Sequence, residues 1–379
     1  MESYYHTLTM LSLMSNLVLI IMVINNKYYK KSKKRALIVI YSLVIIGTLC
    51  EFIGEAMQGK RIDWMEAINP KMDLWVHTII KMVELMIAPS LPALMARTIF
   101  ESEKNALYMK KSIDVFLQVY YLVLITTTVF QTKFRIFSVD ANSTYIHANL
   151  YSLYIGAFVL TGIYMFVNAL CFSKRYQNLG RIEMLAIMAF SFIGIAIPLI
   201  SGKTKTSWLT VSFMAIMVYN YYGNMKQAVD GMTKLLNQKC FLVMSESKRD
   251  EKCMIVIMDL NGFKTINDTF GHSAGDKILK VFAKALKECF APIGMCFRRG
   301  GDEFALIING ECIEYFEKKE KEFRQTLKEV GLPSASIGSA TYDPERIEGP
   351  SMDETIELAD KRMYEEKKEY HASLKKEGE

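Results

Sequence analysis

The chain has 379 residues, of which 51% are hydrophobic and 23% charged, and its formal net charge is +6. Up to about Tyr222 it is apolar with short basic breaks; beyond that it is charged and patterned like a globular domain, which excludes a uniformly soluble protein. The seven cysteines form no CxxC pair and no zinc-ligand spacing, so they read as small buried hydrophobes rather than a redox or zinc motif.

Seven apolar runs follow one another: Thr7–Asn25, Ala36–Met57, Leu74–Ala96, Ile113–Phe130, Leu150–Cys171, Met184–Ile200 and Trp208–Tyr222. Most approach the roughly 20 residues that a membrane-spanning helix needs, although the sixth is short and the third contains charges. The first lacks a basic segment ahead of it and a small-residue cleavage site behind it, so it predicts a span rather than a cleaved signal. The loops at 26–36, 97–112 and 172–181 carry more Lys and Arg than the alternate loops. That bias predicts an outside N-terminus and a cytoplasmic C-terminal half. Tyr28, Tyr29, Trp64, Trp75 and Trp208 stand near run ends and read as interfacial anchors.

Ionisable residues within spans are costly. Glu51 and Glu55 lie four apart in the second run, and His77, Lys81 and Glu84 share roughly one face of the third. They read either as interhelical packing contacts or as a ligand or proton sensor. Pro89 and Pro92 predict a kink or a local break in that helix. The seventh run leads without a flexible linker into a junction, predicted to be helical and interrupted near Gly231.

In the second half, "CMIVIMDL" (Cys253–Leu260) reads as a buried strand. "DKILKVFAKALKECF" reads as an amphipathic helix, with Ile278, Val281, Phe282, Leu286 and Phe290 as its apolar face. "MCFRRGGDEFALII" reads as a hairpin turning at Gly300 and Gly301. A charged helix, a strand over "PSASIGSATY" and a final helix bearing Ile356, Ala359 and Met363 complete the order. Strand, helix, hairpin, helix, strand, helix is an α/β plan with a mostly antiparallel sheet, close to the split βαβ arrangement. If the first strand pairs with the hairpin, Asp259, Asp302 and Glu303 converge at one edge. Close carboxylates repel and call for a divalent cation; oxygen ligands favour magnesium, and magnesium favours phosphate substrates.

These residues resemble the GGDEF diguanylate cyclase family. The resemblance rests on "RRGGDEF" (Arg298–Phe304), "DLNGFKTINDTFGHSAGD" (Asp259–Asp276), "SIG" (Ser336–Gly338) and "LADKRMYEEKK" (Leu358–Lys368), in order over roughly 140 residues. "DGMTKLLNQKCF" (Asp230–Phe241) resembles the family's opening segment, with Lys234 in place of a usual glycine and Gln238 of a usual arginine. The resemblance implies a palm-like, ferredoxin-like α+β domain that condenses two GTP into cyclic di-GMP and two pyrophosphates. By position, Asp259, Asp302 and the Leu260 carbonyl would hold magnesium, or manganese in its place. Glu303 would bind metal or activate the 3′-hydroxyl, so Asp259, Asp302 and Glu303 are the implied catalytic set. Asn267 and Asp276 would read the guanine edge. The backbone around Asn261–Phe263 and at Gly300 and Gly301 would cradle phosphates, and Lys264 and Lys367 would meet phosphate charge. Arg298 would play a supporting part.

Two GTP-loaded domains would have to face each other, which implies a homodimer. The family's product-inhibition pair, an Arg and an Asp three apart, is replaced by Ala291 and Gly294. Tyr370, His371 and Ala372 stand where Gly, Arg and Asn are usual, and the stretch from Phe304 to Ser336 is short for the family. The membrane half resembles seven-span sensor regions of some bacterial histidine kinases. The expected architecture is therefore a multidomain, multi-pass protein of a bacterial plasma membrane. It has an all-α seven-transmembrane bundle at 1–224, a junction at 225–238 and a cytoplasmic GGDEF domain at 239–373. Its expected partners are GTP, a second copy and the lipid bilayer, with no nucleic-acid polymer. The alternatives are a weak or inactive GTP-binding receptor module and a transporter with a regulatory nucleotide domain.

Overall fold

The structure is a computed structural model, and it describes residues 2–377 other than 28, 30, 61, 70, 100–105, 176, 178, 202–206 and 347. Tyr28, the side chain of Trp64, the sixth loop and part of the third loop lie outside the described residues. The chain divides into two compact units, Met1–Gly223 and Asn224–Glu379.

The first unit runs α1 (Glu2–Asn25), α2 (Lys31–Met57), a short α3 (Asp63–Ile68), α4 (Met72–Ile99) and α5 (Ala106–Val129). A small hairpin, β1 (Phe137–Val139) and β2 (Tyr145–His147), precedes α6 (Tyr151–Arg175), α7 (Arg181–Ser201) and α8 (Ser207–Gln227). Every apolar run falls on one of the long helices. Among the described residues, five of them (α1, α2, α4, α5 and α6) are long and apolar enough to cross a membrane.

Apolar side chains cover the outside of this unit as well as its core, and a polar cluster is buried within it. Met14, Leu17, Val18 and Ile21 of α1 and Val115, Val119 and Leu122 of α5 are exposed. Ser12, Asn16, Thr48 and Ser212 are buried. Ser12 Oγ lies 2.7 Å from Ser212 Oγ and 3.1 Å from Thr48 Oγ1, and Asn16 Nδ2 donates to Ser212 Oγ at 2.7 Å. Water would reverse this arrangement; a hydrocarbon solvent favours it, because small polar side chains then bond across helices.

Pro89 and Pro92 do not break α4, which is helical through both. Pro89 has no N–H for the Leu85 carbonyl one turn back. The Tyr120 hydroxyl of α5 donates to that carbonyl instead, at 2.9 Å. Trp208 is not an interfacial anchor: it is 5% exposed, its Nε1 donates to Glu84 Oε1 at 3.4 Å, and its ring fills the space where Gly47 lacks a Cβ. Trp75 does remain exposed.

In the second unit, β3 (Leu236–Asn237) and α9 (Gln238–Ser247) precede β4 (Cys253–Leu260). Then come α10 (Phe263–Phe270), α11 (His272–Phe290), β5 (Gly294–Gly300), β6 (Glu303–Asn309), a 3-10 turn, α12 (Phe316–Glu329), β7 (Ala335–Tyr342) and α13 (Met352–Glu377). The sheet order is β3-β5-β6-β4-β7, antiparallel except for β3 beside β5. α8 ends at Gln227, before Gly231, where Asn237 Nδ2 takes the Gln227 carbonyl at 2.7 Å and Val229 bridges Leu236.

β4 is buried on both faces, as its unbroken apolar run requires. Val256, Met258 and Leu260 join Phe304, Leu306 and Ile308 of β6 against Leu279, Phe282, Leu286 and Phe290 of α11 and Phe323 of α12. Val281 does not share that face; it is 41% exposed, and Leu279 takes its place. The opposite face of the sheet carries α13. Gly338 of β7 makes this approach close: a Cβ there would lie 2.1 Å from the Ala359 carbonyl and 2.2 Å from the Met363 nitrogen. Of the cysteines, Cys240, Cys253 and Cys296 are buried, but Cys171 is exposed.

Candidate active site

Side chains alternate along a strand, so Asp259 follows Ile255 and Ile257 on the face that α13 covers. It is 5% exposed. From α13, Lys367 places its Nζ 2.7 Å from Asp259 Oδ1. Burial raises the Asp259 pKa above the ordinary carboxylate value; the hydrogen bond from Lys367 opposes this and the Asp302 charge adds to it.

The β4–β6 register sets Glu303 directly opposite Asp259, and the Leu260 N–H donates to the Asp302 carbonyl at 3.3 Å. Asp259, Asp302, Glu303 and Lys367 thus meet at one sheet end. Among the described residues, no three His, Cys, Asp or Glu side chains converge as a preformed metal cage. Glu303 leans instead toward Arg299, whose Nη1 is 3.8 Å away and also 3.2 Å from Asp360 Oδ1.

Gly301 takes φ 48°, a conformation that suits glycine, and a Cβ at Gly300 or Gly301 would meet nothing within 4 Å. The turn is therefore open above its backbone. Arg298 braces it from behind: Nη2 and Nε donate to the Gly301 carbonyl at 2.7 and 3.1 Å, and Nη1 reaches Asp230 Oδ1 at 3.1 Å. Asp230 also accepts from the Thr233 N–H at 2.7 Å and its hydroxyl at 2.6 Å. Burial disfavours the Asp230 charge, but these hydrogen bonds prevail and its pKa is lowered. Lys234, the residue replacing a usual glycine, sits at φ 64° in the left-handed region.

Asn267 of α10 and Asp276 of α11 are half-buried beside each other's helices. The contact is tight at Gly275, where a Cβ would lie 2.0 Å from Asn267 Oδ1 and 3.1 Å from the Phe263 ring. Lys264 is exposed. A concavity of about 360 Å³ is lined by Tyr364, Lys367, Lys368, His371 and Ala372, so its wall is basic.

Sequence reasoning missed Gly275, the side-chain role of Asn261 and the partner of Arg298. A glycine inside a helix costs about 1 kcal/mol against alanine, which was a signal that Gly275 serves a contact. Asn261 is buried and bonds Ser334 and Ser336, at 3.0 and 2.8 Å, tying the loop after β4 to the start of β7.

Residues 227–372 match the family described as diguanylate cyclase, GGDEF domain. Residues 227–372 are a GGDEF domain. Diguanylate cyclase A of Treponema denticola is 30% identical over 141 residues, which is 35% of this chain and 37% of that protein. The probable diguanylate cyclase DgcI of Escherichia coli is 32% identical over 168 residues, 43% of this chain and 36% of that protein. The matched stretch therefore spans little more than a third of these relatives. Among solved structures, the coiled coil and GGDEF domain of DgcB from Caulobacter crescentus in complex with c-di-GMP is similar at 24% identity and a TM-score of 0.38. It covers 42% of this chain and 90% of that one.

Proposed function

We propose that the protein is a membrane-bound diguanylate cyclase that joins two GTP into cyclic di-GMP and releases two pyrophosphates. The observation that carries this is the pairing of Asp259 with Glu303 across β4 and β6, beside the open Gly300–Gly301 turn and the basic wall of α13. In each of two equivalent steps, a 3′-oxygen bonds to the α-phosphorus of the facing GTP. The bond from that phosphorus to the β-phosphate oxygen breaks, pyrophosphate leaves, and the hydroxyl proton departs.

The chain's residues divide this work. The open turn lets triphosphate oxygens approach backbone N–H groups. Lys367 and Lys264 supply positive charge to those oxygens. Asn267 and Asp276 accept from the guanine edge, whose N1–H and N2–H adenine lacks as donors. Glu303, about half of whose side chain is exposed, takes the 3′-hydroxyl proton or binds metal.

Magnesium fits these residues. Asp259 is a buried carboxylate already paired with a cationic group, the Lys367 ammonium, and the surrounding donors are oxygens. Asp259, Asp302, Glu303 and the Leu260 carbonyl would hold it, with manganese as a substitute. When bound, it would neutralise charge developing on the phosphate oxygens.

The second GTP comes from a second copy. The five apolar helices and their exposed apolar side chains support a membrane anchor, and the basic loops support an outside N-terminus with the GGDEF domain in the cytoplasm. With α7 and α8 added, seven spans deliver that topology, and a signal received by the bundle regulates how two domains meet. Product inhibition through the usual pair is absent: Ala291 and Gly294 replace it, and a Cβ at Gly294 would lie 2.4 Å from the Ile307 carbonyl.

The test is incubation of the full chain with GTP and magnesium, with nucleotides resolved by chromatography. Cyclic di-GMP should form and fall about a hundredfold or more in Asp302→Ala and Glu303→Ala. GTP binding without product in any dimeric form would establish the receptor reading, which the His371–Ala372 wall favours.

A further inference from the structure

The helical unit contains a cavity of about 570 Å³, within the range of small-molecule sites. Loose packing does not explain it. The bundle around it is tight: Trp208 fills the space where Gly47 lacks a Cβ, Lys81 does so at Gly54, and Thr210 at Gly194. The hairpin side is pinned as well. Gln58 Oε1 of α2 accepts from the Tyr145 N–H at 3.0 Å, and the Gly59 N–H donates to the Ser143 carbonyl at 3.2 Å. Close-packed interiors leave few voids larger than a water molecule, so a space of this size is a built feature.

The ionisable groups on its walls are already engaged. Lys81 Nζ lies 2.9 Å from Glu84 Oε2, Trp208 Nε1 donates to the other oxygen of Glu84 at 3.4 Å, and Glu51 and Glu55 have interaction partners. What the walls offer an occupant is ring surface. The hairpin supplies Tyr145 and His147, α6 supplies Tyr151, Tyr154 and Phe158, and α8 supplies Trp208. Four of these rings form a row. His147 stacks on Tyr151 with centroids 3.7 Å apart and planes 8° from parallel. Tyr145 continues the row beyond His147, and Tyr154 beyond Tyr151, each at 5.4 Å. Phe158 follows Tyr154 by one helical turn, on the same side of α6.

We propose that this cavity binds a small planar aromatic molecule of one or two rings. Its rings would meet Tyr154, Phe158 and Trp208 and extend the row that the hairpin begins. Aromatic pairs attract through the opposed charge of ring face and ring edge, beyond the area they bury. A saturated molecule of the same outline buries the same area and lacks that attraction. An acyl chain from the bilayer gains little by entering, because lipid tails already surround it with surface as apolar as any aliphatic wall.

The test uses the full chain in lipid nanodiscs, with protein-free nanodiscs to subtract partition into lipid. The probes are three neutral alcohols: 2-naphthol, its saturated counterpart decahydro-2-naphthol, and the chain alcohol 1-decanol. Equilibrium dialysis should show saturable binding of 2-naphthol at or below about 1 mM, and about tenfold weaker binding of the other two. The double variant Tyr154→Leu with Phe158→Leu should weaken 2-naphthol by about tenfold and leave decahydro-2-naphthol within about twofold. Binding of the saturated alcohol or of 1-decanol as tight as that of 2-naphthol would overturn the proposal. So would the absence of saturable 2-naphthol binding, or unchanged affinity in a folded double variant. The probe series in the unaltered protein decides the matter even if the variant does not fold. Since the readout is binding, its result is independent of whether the GGDEF domain makes cyclic di-GMP.

Discussion

Lys367 Nζ and Asp259 Oδ1 are 2.7 Å apart, so the last helix delivers an ammonium to the carboxylate at the end of the central strand. An ammonium and a magnesium ion cannot both occupy the same face of one carboxylate. Lys367→Met should therefore tighten metal binding in the absence of nucleotide, read by manganese paramagnetic resonance. It should also lower kcat/KM for GTP by about tenfold or more if Lys367 makes the proposed phosphate contact. Weaker metal binding in the variant would show that the lysine assists the metal rather than competing with it.

Asp259 and Asp230 should give opposite pH signatures. The folded pKa of Asp259 is raised, so the folded domain holds that proton more firmly than the unfolded chain. Stability attributable to it falls as pH rises from about 3.9, the ordinary aspartate value, through the folded value, and stays reduced above. The folded pKa of Asp230 is lowered, so its contribution is full above about 3.9 and is lost as pH falls through the folded value. Denaturant titrations across this range should show Asp259→Asn removing the first trend and Asp230→Asn the second.

Arg298 and Asp230 should be energetically coupled. Their contact joins the Gly300–Gly301 turn to the opening turn of the GGDEF domain. A double-mutant cycle of Arg298→Ala and Asp230→Ala should return about 1–3 kcal/mol of coupling in domain stability. Strict additivity would mean that each residue supports its turn separately.

Gly275→Ala should separate folding from function. Alanine improves helix propensity by about 1 kcal/mol, yet its Cβ would enter the space of Asn267 Oδ1. The expected result is an unchanged or higher Tm with a KM for GTP raised roughly tenfold to a hundredfold. An unchanged KM would overturn the proposed role of Asn267 in reading guanine.

Lys234→Gly should stabilise the domain by about 1 kcal/mol in thermal or denaturant unfolding, since a left-handed φ penalises a side chain and not glycine. Its Nζ bond to the Gly231 carbonyl, 2.6 Å long, is exposed and offsets little of that cost. Destabilisation would show that this bond outweighs the backbone strain.

What the sequence determined by itself was local or periodic. The unbroken apolar run of β4 announced a strand buried on both faces, and period-two alternation put Asp259 on a known side of it. The order of motifs around Gly300 and Gly301 identified the GGDEF domain, and long apolar runs identified helices suited to lipid. Tertiary structure decided what depends on distant partners. Hydropathy cannot say which stripe of an apolar helix faces a neighbour when lipid accepts the other stripe equally well, so the inward turn of Trp208 was invisible. Tyr120 rescuing the carbonyl freed by Pro89 needed the packing of α4 against α5. Asp259 was legible as an acid at a strand end, but its lysine arrives from the last helix, through an approach that Gly338 makes possible only in the folded sheet.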